Sequence, residues 1–448
     1  MEPITLAWAA EAMGARIVGA RDDVVQSVCT DTRQAVRGSL FFALAGEHSD
    51  GHDYVVQAFA AGAVGAVASK EVLDAAGPLL IVPDTLRSLG DLAMHYRRQF
   101  AIPVVGVTGS VGKTSTKEMI ATVLRTKYNT LASAKNFNNE IGVPMTLFGL
   151  TKAHEVAVIE MGMRGLGEID RLAEIAQPTI GLITGIGYAH IERLGSQQNI
   201  AQAKSELLAR LPSDGVAILP SHDPFCDTLR SRVPVGCRIL TYDRSAQDTI
   251  PLQVIGVHHI GNAAAALAVA SALAVPRPQA MAALGQWQGA EGRMVVRETP
   301  EGWHVLDDCY NAGPESMEAA LATLAASAPS VRVAVLGDMR ELGDFAPEAH
   351  RRVGRAVVDQ HVSLLVTVGA LAEEIANEAR RYADCLGAAP PGIQRFAATE
   401  QAAANIRSVL AAEAVCSEAW ILVKGSRAME MEQIVAALTG EQNRDAHG

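Results

Sequence analysis

The sequence predicts an α/β chain of three domains, a small amino-terminal α/β domain followed by two larger doubly wound ones. Three observations carry that expectation. The chain has 448 residues, and single hydrophobic cores stop growing at roughly 250–300 residues, so more than one core is required. Short apolar runs ending in Gly, Asp or Thr alternate with longer segments of helical period, the pattern of βα units in a parallel sheet. The alternation comes in two blocks, and a stretch with its own short strands and helices precedes the first.

In the first block residues 104–107, 156–159, 180–184 and 216–219 read as buried strands; in the second, residues 331–336, 364–368 and 420–423 do. One boundary is expected near Thr85. The other falls between the Ala-rich helix after Asn262 and the new alternation near Val295, giving domains at 1–85, 86–293 and 294–448. Ligands of such sheets bind beyond the carboxyl ends of the strands.

Composition narrows the function. With 49% hydrophobic and 19% charged residues the chain can bury several cores and keep a soluble surface; only the tail after Gly440 reads as disordered. A formal net charge of -11 argues against nucleic acid or an anionic membrane as partner, while leaving a local nucleotide pocket open. The six cysteines show neither CxxC pairs nor His-rich partners, so no zinc site or disulfide framework is indicated. Residues 1–20 lack a basic n-region and carry Glu2 and Glu11, unlike a secretory signal. The longest apolar stretch, 263–275, falls short of the roughly 18 residues of a membrane span. A cytoplasmic protein without membrane insertion is expected.

Residues 104–116, VVGVTGSVGKTST, run from a buried strand through glycines into a helix with apolar Met119, Ile120, Val123 and Leu124. A phosphate loop needs that context. Glycines let backbone N–H groups approach phosphates, the helix amino terminus supplies positive potential, Lys113 reaches the terminal phosphates, and Thr114 or Ser115 can hold magnesium. Gly109, Ser110, Val111, Gly112, Lys113, Thr114 and Ser115 are therefore the candidate nucleotide-binding residues. The standard GxxxxGK[ST] pattern would place Gly where this chain has Val107; here the spacing is GxxGxxGKT. A glycine turn before an ordinary helix would share the glycines but not Lys113 and two hydroxyls in register.

Further chemistry-bearing residues follow in order. Glu160 ends the run 156–159 and should project at the carboxyl edge of the sheet, as a magnesium ligand or a solvated strand-end acid. His190 closes the turn ITGIGYAH, where a hydrogen-bonded loop histidine is the alternative reading. Lys204 lies on the apolar stripe of Ile200, Ala203, Leu207, Leu208 and Leu211. Such a lysine either snorkels to water or is desolvated toward its neutral form.

TGSVGKTS resembles the ATP loop of the Mur ligase family. The similarity extends through NFNNEIGVP at 136–144, DDCYNAGPESM at 307–317, LGDMRELG at 336–343 and VKGSR at 423–427, with Gly313 where Asn is usual and His259 at a variable place. The resemblance implies an ATP-dependent ligase that activates a carboxylate as an acyl phosphate with Mg2+. It also implies a central P-loop parallel-sheet ATPase domain, a C-terminal Rossmann-like domain and a monomer. In the branch whose segments match, the partners are UDP-N-acetylmuramoyl-tripeptide and D-alanyl-D-alanine, condensed into a peptidoglycan precursor.

The same resemblance implies roles. Lys113, Glu160, His190 and Lys204 are the catalytic set, with Thr114, Glu160, His190 and Lys204, as a carbamate, around metal. His258 and Asn262 meet the adenine side, Arg293 the phosphates, and Asp308 and Tyr310 the nucleotide once the third domain closes. Thr30, Arg33, Gly46 and Asp50 hold the UDP-sugar; Asn138 and Asn139 meet its muramoyl side; Lys424, Ser426 and Arg427 take the dipeptide or closure contacts. A sister ligase with another acceptor and a P-loop ATPase without ligase activity remain the alternatives.

Overall fold

The computed structural model describes residues 1–19, 22–46, 49–243, 250–327, 331–413, 415 and 418–440. The expected disordered tail, Cys416, and Glu47 and His48 of the segment 44–53 lie outside these.

Val- and Ile-rich runs become strands because both faces of a parallel sheet are covered by helices. Val104–Thr108, Val156–Glu160 and Ile180–Ile183 are buried at every position. Among the described residues the central sheet has six parallel strands, in the order Arg238–Tyr242, Val216–Pro220, Ile180–Ile183, Val104–Thr108, Val156–Glu160, Thr130–Ala132. The first of these six strands along the chain, Val104–Thr108, thus sits inside the sheet, with later strands of the chain on either side of it. That is the switch point at which open α/β sheets bind ligands. Register brings the ends together: Glu160 lies opposite Val107, and Ile183 opposite Thr108.

The third sheet begins with an antiparallel pair, Val295–Glu298 with His304–Asp307, and continues in parallel through Trp420–Lys424, Arg332–Gly337, Leu364–Val368 and Gly392–Phe396. The amino-terminal sheet runs Arg16–Val18, Leu79–Ile81, Gly65–Ala68, Ser39–Phe42, Ser27–Cys29, with only its first pairing antiparallel. The helix Thr85–Arg97, capped by the Asp84 carboxylate, packs against Leu6–Met13 on one side. On the other it meets Gly142–Leu147 and Glu168–Ala176. It therefore joins the first sheet to the second. Arg97 fixes this seam: its buried guanidinium donates to Ala176 O, Phe100 O and Ile102 O at 3.1, 2.5 and 3.0 Å.

Candidate active site

The loop after the middle strand is clamped from both sides. Gly109 and Gly112 have φ of 153° and 83°, a region that side-chain-bearing residues rarely adopt. A Cβ at Gly109 would collide with Thr184 Oγ1, and one at Gly112 would stand 2.6 Å from Asn262 Oδ1. Thr184 Oγ1 donates to Val111 O at 2.6 Å, Ser110 N–H to Gly185 O at 2.9 Å, and Gly187 N–H to Ser110 Oγ at 2.9 Å. Lys113 opens the helix Lys113–Leu124, with half-buried Thr114 and buried Ser115 next on it. Its ammonium donates back to Gly109 O at 2.9 Å. Burial pushes the Lys113 pKa down; Glu160 opposes that shift and Arg293 adds to it.

Glu160 is buried, and its two oxygens are unequally used. Oε1 accepts from Asn138 Nδ2 at 2.8 Å, whereas Oε2 is buried with no hydrogen-bond partner among the described residues. An unsatisfied buried carboxylate oxygen is costly unless a ligand completes it. Among the described residues no three His, Cys, Asp or Glu side chains form a metal-holding group. The donors present suit magnesium, which takes one or two carboxylates, phosphate oxygens and waters rather than an all-protein cage.

Lys204, on the helix Gln197–Ala209, is buried as its place on the apolar stripe implies, and no carboxylate of the described residues pairs with it. Its pKa falls well below the ordinary lysine value, first by burial and then by repulsion from Lys113. His190 has a left-handed backbone at φ 65°, and its Nδ1 lies 2.7 Å from Glu341 Oε2 of the third domain.

Asn262 lies inside the helix Val257–Ala272, whose amino-terminal cap is Gly256. Its Oδ1 accepts from Thr116 Oγ1 at 3.2 Å, and its Nδ2 is buried without a partner among the described residues. The His258 and His259 rings lie against each other with centroids 4.2 Å apart and planes tilted by 44°. His259 packs edge-on to Trp287 at 5.2 Å with neither ring nitrogen hydrogen-bonded, and burial takes its pKa down to about 3. Arg293 places its guanidinium 4.0 Å from the Tyr310 ring centroid, with Nε buried and unpartnered. Five segments thus bring Lys113, Glu160, Lys204, Asn262 and Arg293 to one place: two cations, a buried lysine shifted toward its neutral form, one carboxylate and several unsatisfied polar atoms.

The remaining candidates are engaged elsewhere. Lys424, buried at its strand end, donates to Asp308 Oδ2 at 2.6 Å and to Asn311 O at 2.9 Å. The residue expected for the dipeptide and the one expected for the nucleotide therefore hold each other. Ser426 Oγ accepts from Arg340 N–H at 2.8 Å, and exposed Arg427 pairs with Glu432 at 2.6 Å. Asn139 Oδ1 accepts from Ile141 N–H and Gly142 N–H, at 3.2 and 2.8 Å, which spends it on the start of the helix Gly142–Leu147.

In the first domain, half-buried Thr30 precedes the turn in which the Arg33 fork rests on Asp31 at 2.6 Å. Gly46 N–H donates to Ser49 O at 2.9 Å. Gly51 serves its own chain, since a Cβ there would lie 2.6 Å from Leu44 N. Asp50 Oδ1 lies 2.5 Å from His52 Nδ1, and bonds from the His52 backbone and ring hold its pKa far below the carboxylate range.

Motif reading passed over Thr184, Ser133 and Glu341. Thr184 and Ser133 are strand-end hydroxyls, ordinary in sequence, and Ser133 Oγ meets the Glu160 N–H at 3.1 Å only through the sheet.

Family models match along the chain: the Mur ligase catalytic domain over residues 24–108, the Mur ligase middle domain over 107–250, and the glutamate ligase domain over 292–444. The chain belongs to the Mur ligase family. It is 35% identical to the UDP-N-acetylmuramoyl-tripeptide--D-alanyl-D-alanine ligase of Escherichia coli K12, over 98% of this chain and 99% of that one. It is 42% identical to the ligase of the same name from Synechocystis sp., over 74% and 77%. Among solved structures, MurF from Acinetobacter baumannii superposes with a TM-score of 0.90 at 32% identity, covering 98% of this chain and 100% of that one. MurF from Thermotoga maritima, in complex with ADP, superposes at 0.80 with 25% identity, covering 93% and 98%. Mur ligase membership accounts for the three large sheets in series.

Proposed function

We propose that this Mur ligase joins D-alanyl-D-alanine to UDP-N-acetylmuramoyl-tripeptide, using ATP and an acyl-phosphate intermediate. What supports the reaction class is the charge at the loop, where Lys113 feels both the carboxylate of Glu160 and the guanidinium of Arg293, with buried Lys204 close enough to Lys113 to be repelled by it. Such a site is built for polyanionic phosphate. The choice of substrates is supported by the relatives' printed activity over nearly the whole chain.

In this reading domains at 1–85, 86–293 and 294–448 hold the UDP-sugar, the ATP and the incoming dipeptide. Thr30, Arg33, Gly46 and Asp50 face the first, and Asn138 stands beside Glu160 for the muramoyl side. Lys424, Ser426 and Arg427 serve the third domain's closure. The terminal carboxylate of the tripeptide attacks the γ-phosphorus; an O–P bond forms, the bond to ADP breaks, and Lys113 and Arg293 neutralise the charge that moves onto the leaving phosphate. The dipeptide amine then attacks the acyl carbon and inorganic phosphate departs. Magnesium, held by Thr114, Glu160, His190 and a Lys204 carbamate, would supply further charge neutralisation. Asn262, with His258, orients the adenine, and Asp308 and Tyr310 approach the nucleotide as the third domain seats.

No helix among the described residues is long and apolar enough to cross a membrane, in keeping with work in the cytoplasm, where ATP is available. Phosphate release across a panel of UDP-muramoyl peptides and amine acceptors tests the assignment. Turnover should require both UDP-muramoyl tripeptide and D-alanyl-D-alanine. Equal rates with single amino acids would favour a sister ligase, and turnover without an acceptor a plain ATPase.

A further inference from the structure

The turn after Arg332–Gly337 carries the third domain onto the loop that holds His190. There Glu341 Oε2 stands 2.7 Å from His190 Nδ1. Both residues are left-handed, at φ 63° and 65°, a conformation that non-glycine residues keep only where their surroundings hold it. Gly343, also left-handed at φ 51°, lies so near the central domain that a Cβ on it would be 3.0 Å from Glu192 Cγ. Leu342 shares an apolar cluster with Ile191 and Leu194, and the turn Gly343–Phe345 packs on the short helix Ile191–Leu194.

We propose that Glu341 is a positioning residue, which fixes the His190 imidazole from across the domain boundary so that seating the third domain and orienting His190 are one event. The inference rests on the reading of His190 as a site residue. A carboxylate on Nδ1 fixes the tautomer and the ring plane and leaves Nε2 as the nitrogen that can meet a ligand; partners of this kind typically change metal affinity about 10–100-fold. Glu341 itself touches no reacting group. Its backbone strain and the bare Gly343 give the contact one geometry, because any displacement of the turn separates the carboxylate from the ring.

The test uses the full chain and three variants, Glu341→Gln, Glu341→Ala and Gly343→Val. The last disturbs the docking surface and leaves the carboxylate in place. Mn2+ binding in the presence of a non-hydrolysable ATP analogue is followed by electron paramagnetic resonance, with X-ray scattering of the ligand-free chain and kcat and KM for each substrate. The expected result is Mn2+ affinity lower by about 10–100-fold in Glu341→Ala and Gly343→Val, a larger scattering radius for both, and a fall in kcat with the UDP-substrate KM unchanged. Glu341→Gln, which keeps the shape but not the charge, should lower Mn2+ affinity without enlarging the radius. Mn2+ affinity within twofold of the parent in all three overturns the proposal. So does an equal loss of UDP-substrate affinity, the mark of a merely structural residue. If the unaltered chain ligates nothing, the ligase reading fails, while the Mn2+ and scattering comparisons still decide the role of Glu341.

Discussion

Lys204→Ala is expected to lower turnover by about 10³-fold, or about 4 kcal/mol of transition-state stabilisation, the upper range for losing one preorganised electrostatic group. The expectation comes from where the lysine lies. It is buried, carries no counter-ion among the described residues, and is pushed toward its neutral form by burial and by Lys113. A lysine kept in that state only for packing would be a poor choice, since leucine or methionine fills the same space without desolvation cost. A neutral amine there can add to carbon dioxide, forming a C–N bond and releasing one proton, and the carbamate then brings negative charge to a cluster of cations. Steady-state phosphate release measures the loss, and a carbamate carbon signal from 13C-labelled bicarbonate should be present in the parent and absent from the variant. Partial rescue of Lys204→Ala by short carboxylic acids is the accompanying expectation. Turnover within tenfold of the parent would remove Lys204 from the mechanism.

Lys113→Met should lower kcat/KM for ATP by about 10²–10³-fold, or about 2.7–4 kcal/mol, because it deletes a cation from a site withdrawn from water where charge moves during the reaction. The ammonium now donates to Gly109 O, so an arriving phosphate exchanges one acceptor for a charged one, and the folded loop loses little when methionine replaces lysine. The melting temperature should therefore stay near that of the parent. Lys113→Arg should rescue poorly, since a planar guanidinium is not a point charge and the loop is closed in by Thr184 and Asn262. An unchanged kcat/KM in Lys113→Met would place the phosphates elsewhere.

The parts of this molecule that a single sequence exposes are those fixed by local pattern. The strands at 104–108, 156–160 and 180–183 are continuous apolar runs, and the glycines with Lys113 follow the first directly. Edge strands were harder. Thr130–Ala132 is only three residues long, and Arg238–Tyr242 and Gly392–Phe396 carry exposed or half-buried polar residues, so none reads as a buried run. Their partners across the sheet, rather than their own composition, make them strands.

The site divides in the same way. Glu160 is legible because it follows a strand, and Lys204 because it breaks an apolar stripe. The pairing of Lys424 with Asp308 joins the ends of two strands far apart in the chain, and no spacing rule reaches across that distance. Asn139 is an asparagine in a run of asparagines, yet one meets Glu160 and the other starts a helix, a difference that depends on which carbonyls and N–H groups lie nearby. Glu341 sits in a segment whose likeness to the family is visible, but its partner, His190, is supplied by another domain.

The acyl phosphate is the centre of the account, and the fate of one oxygen tests it. The UDP-muramoyl tripeptide is prepared with 18O in its terminal carboxylate and incubated with the chain, ATP and D-alanyl-D-alanine, and the inorganic phosphate is analysed by mass spectrometry. Because the carboxylate oxygen that attacks phosphorus leaves with the phosphate when the amide forms, each amide should be matched by one phosphate carrying an oxygen from the carboxylate. Amide formation with unlabelled phosphate would contradict the mechanism.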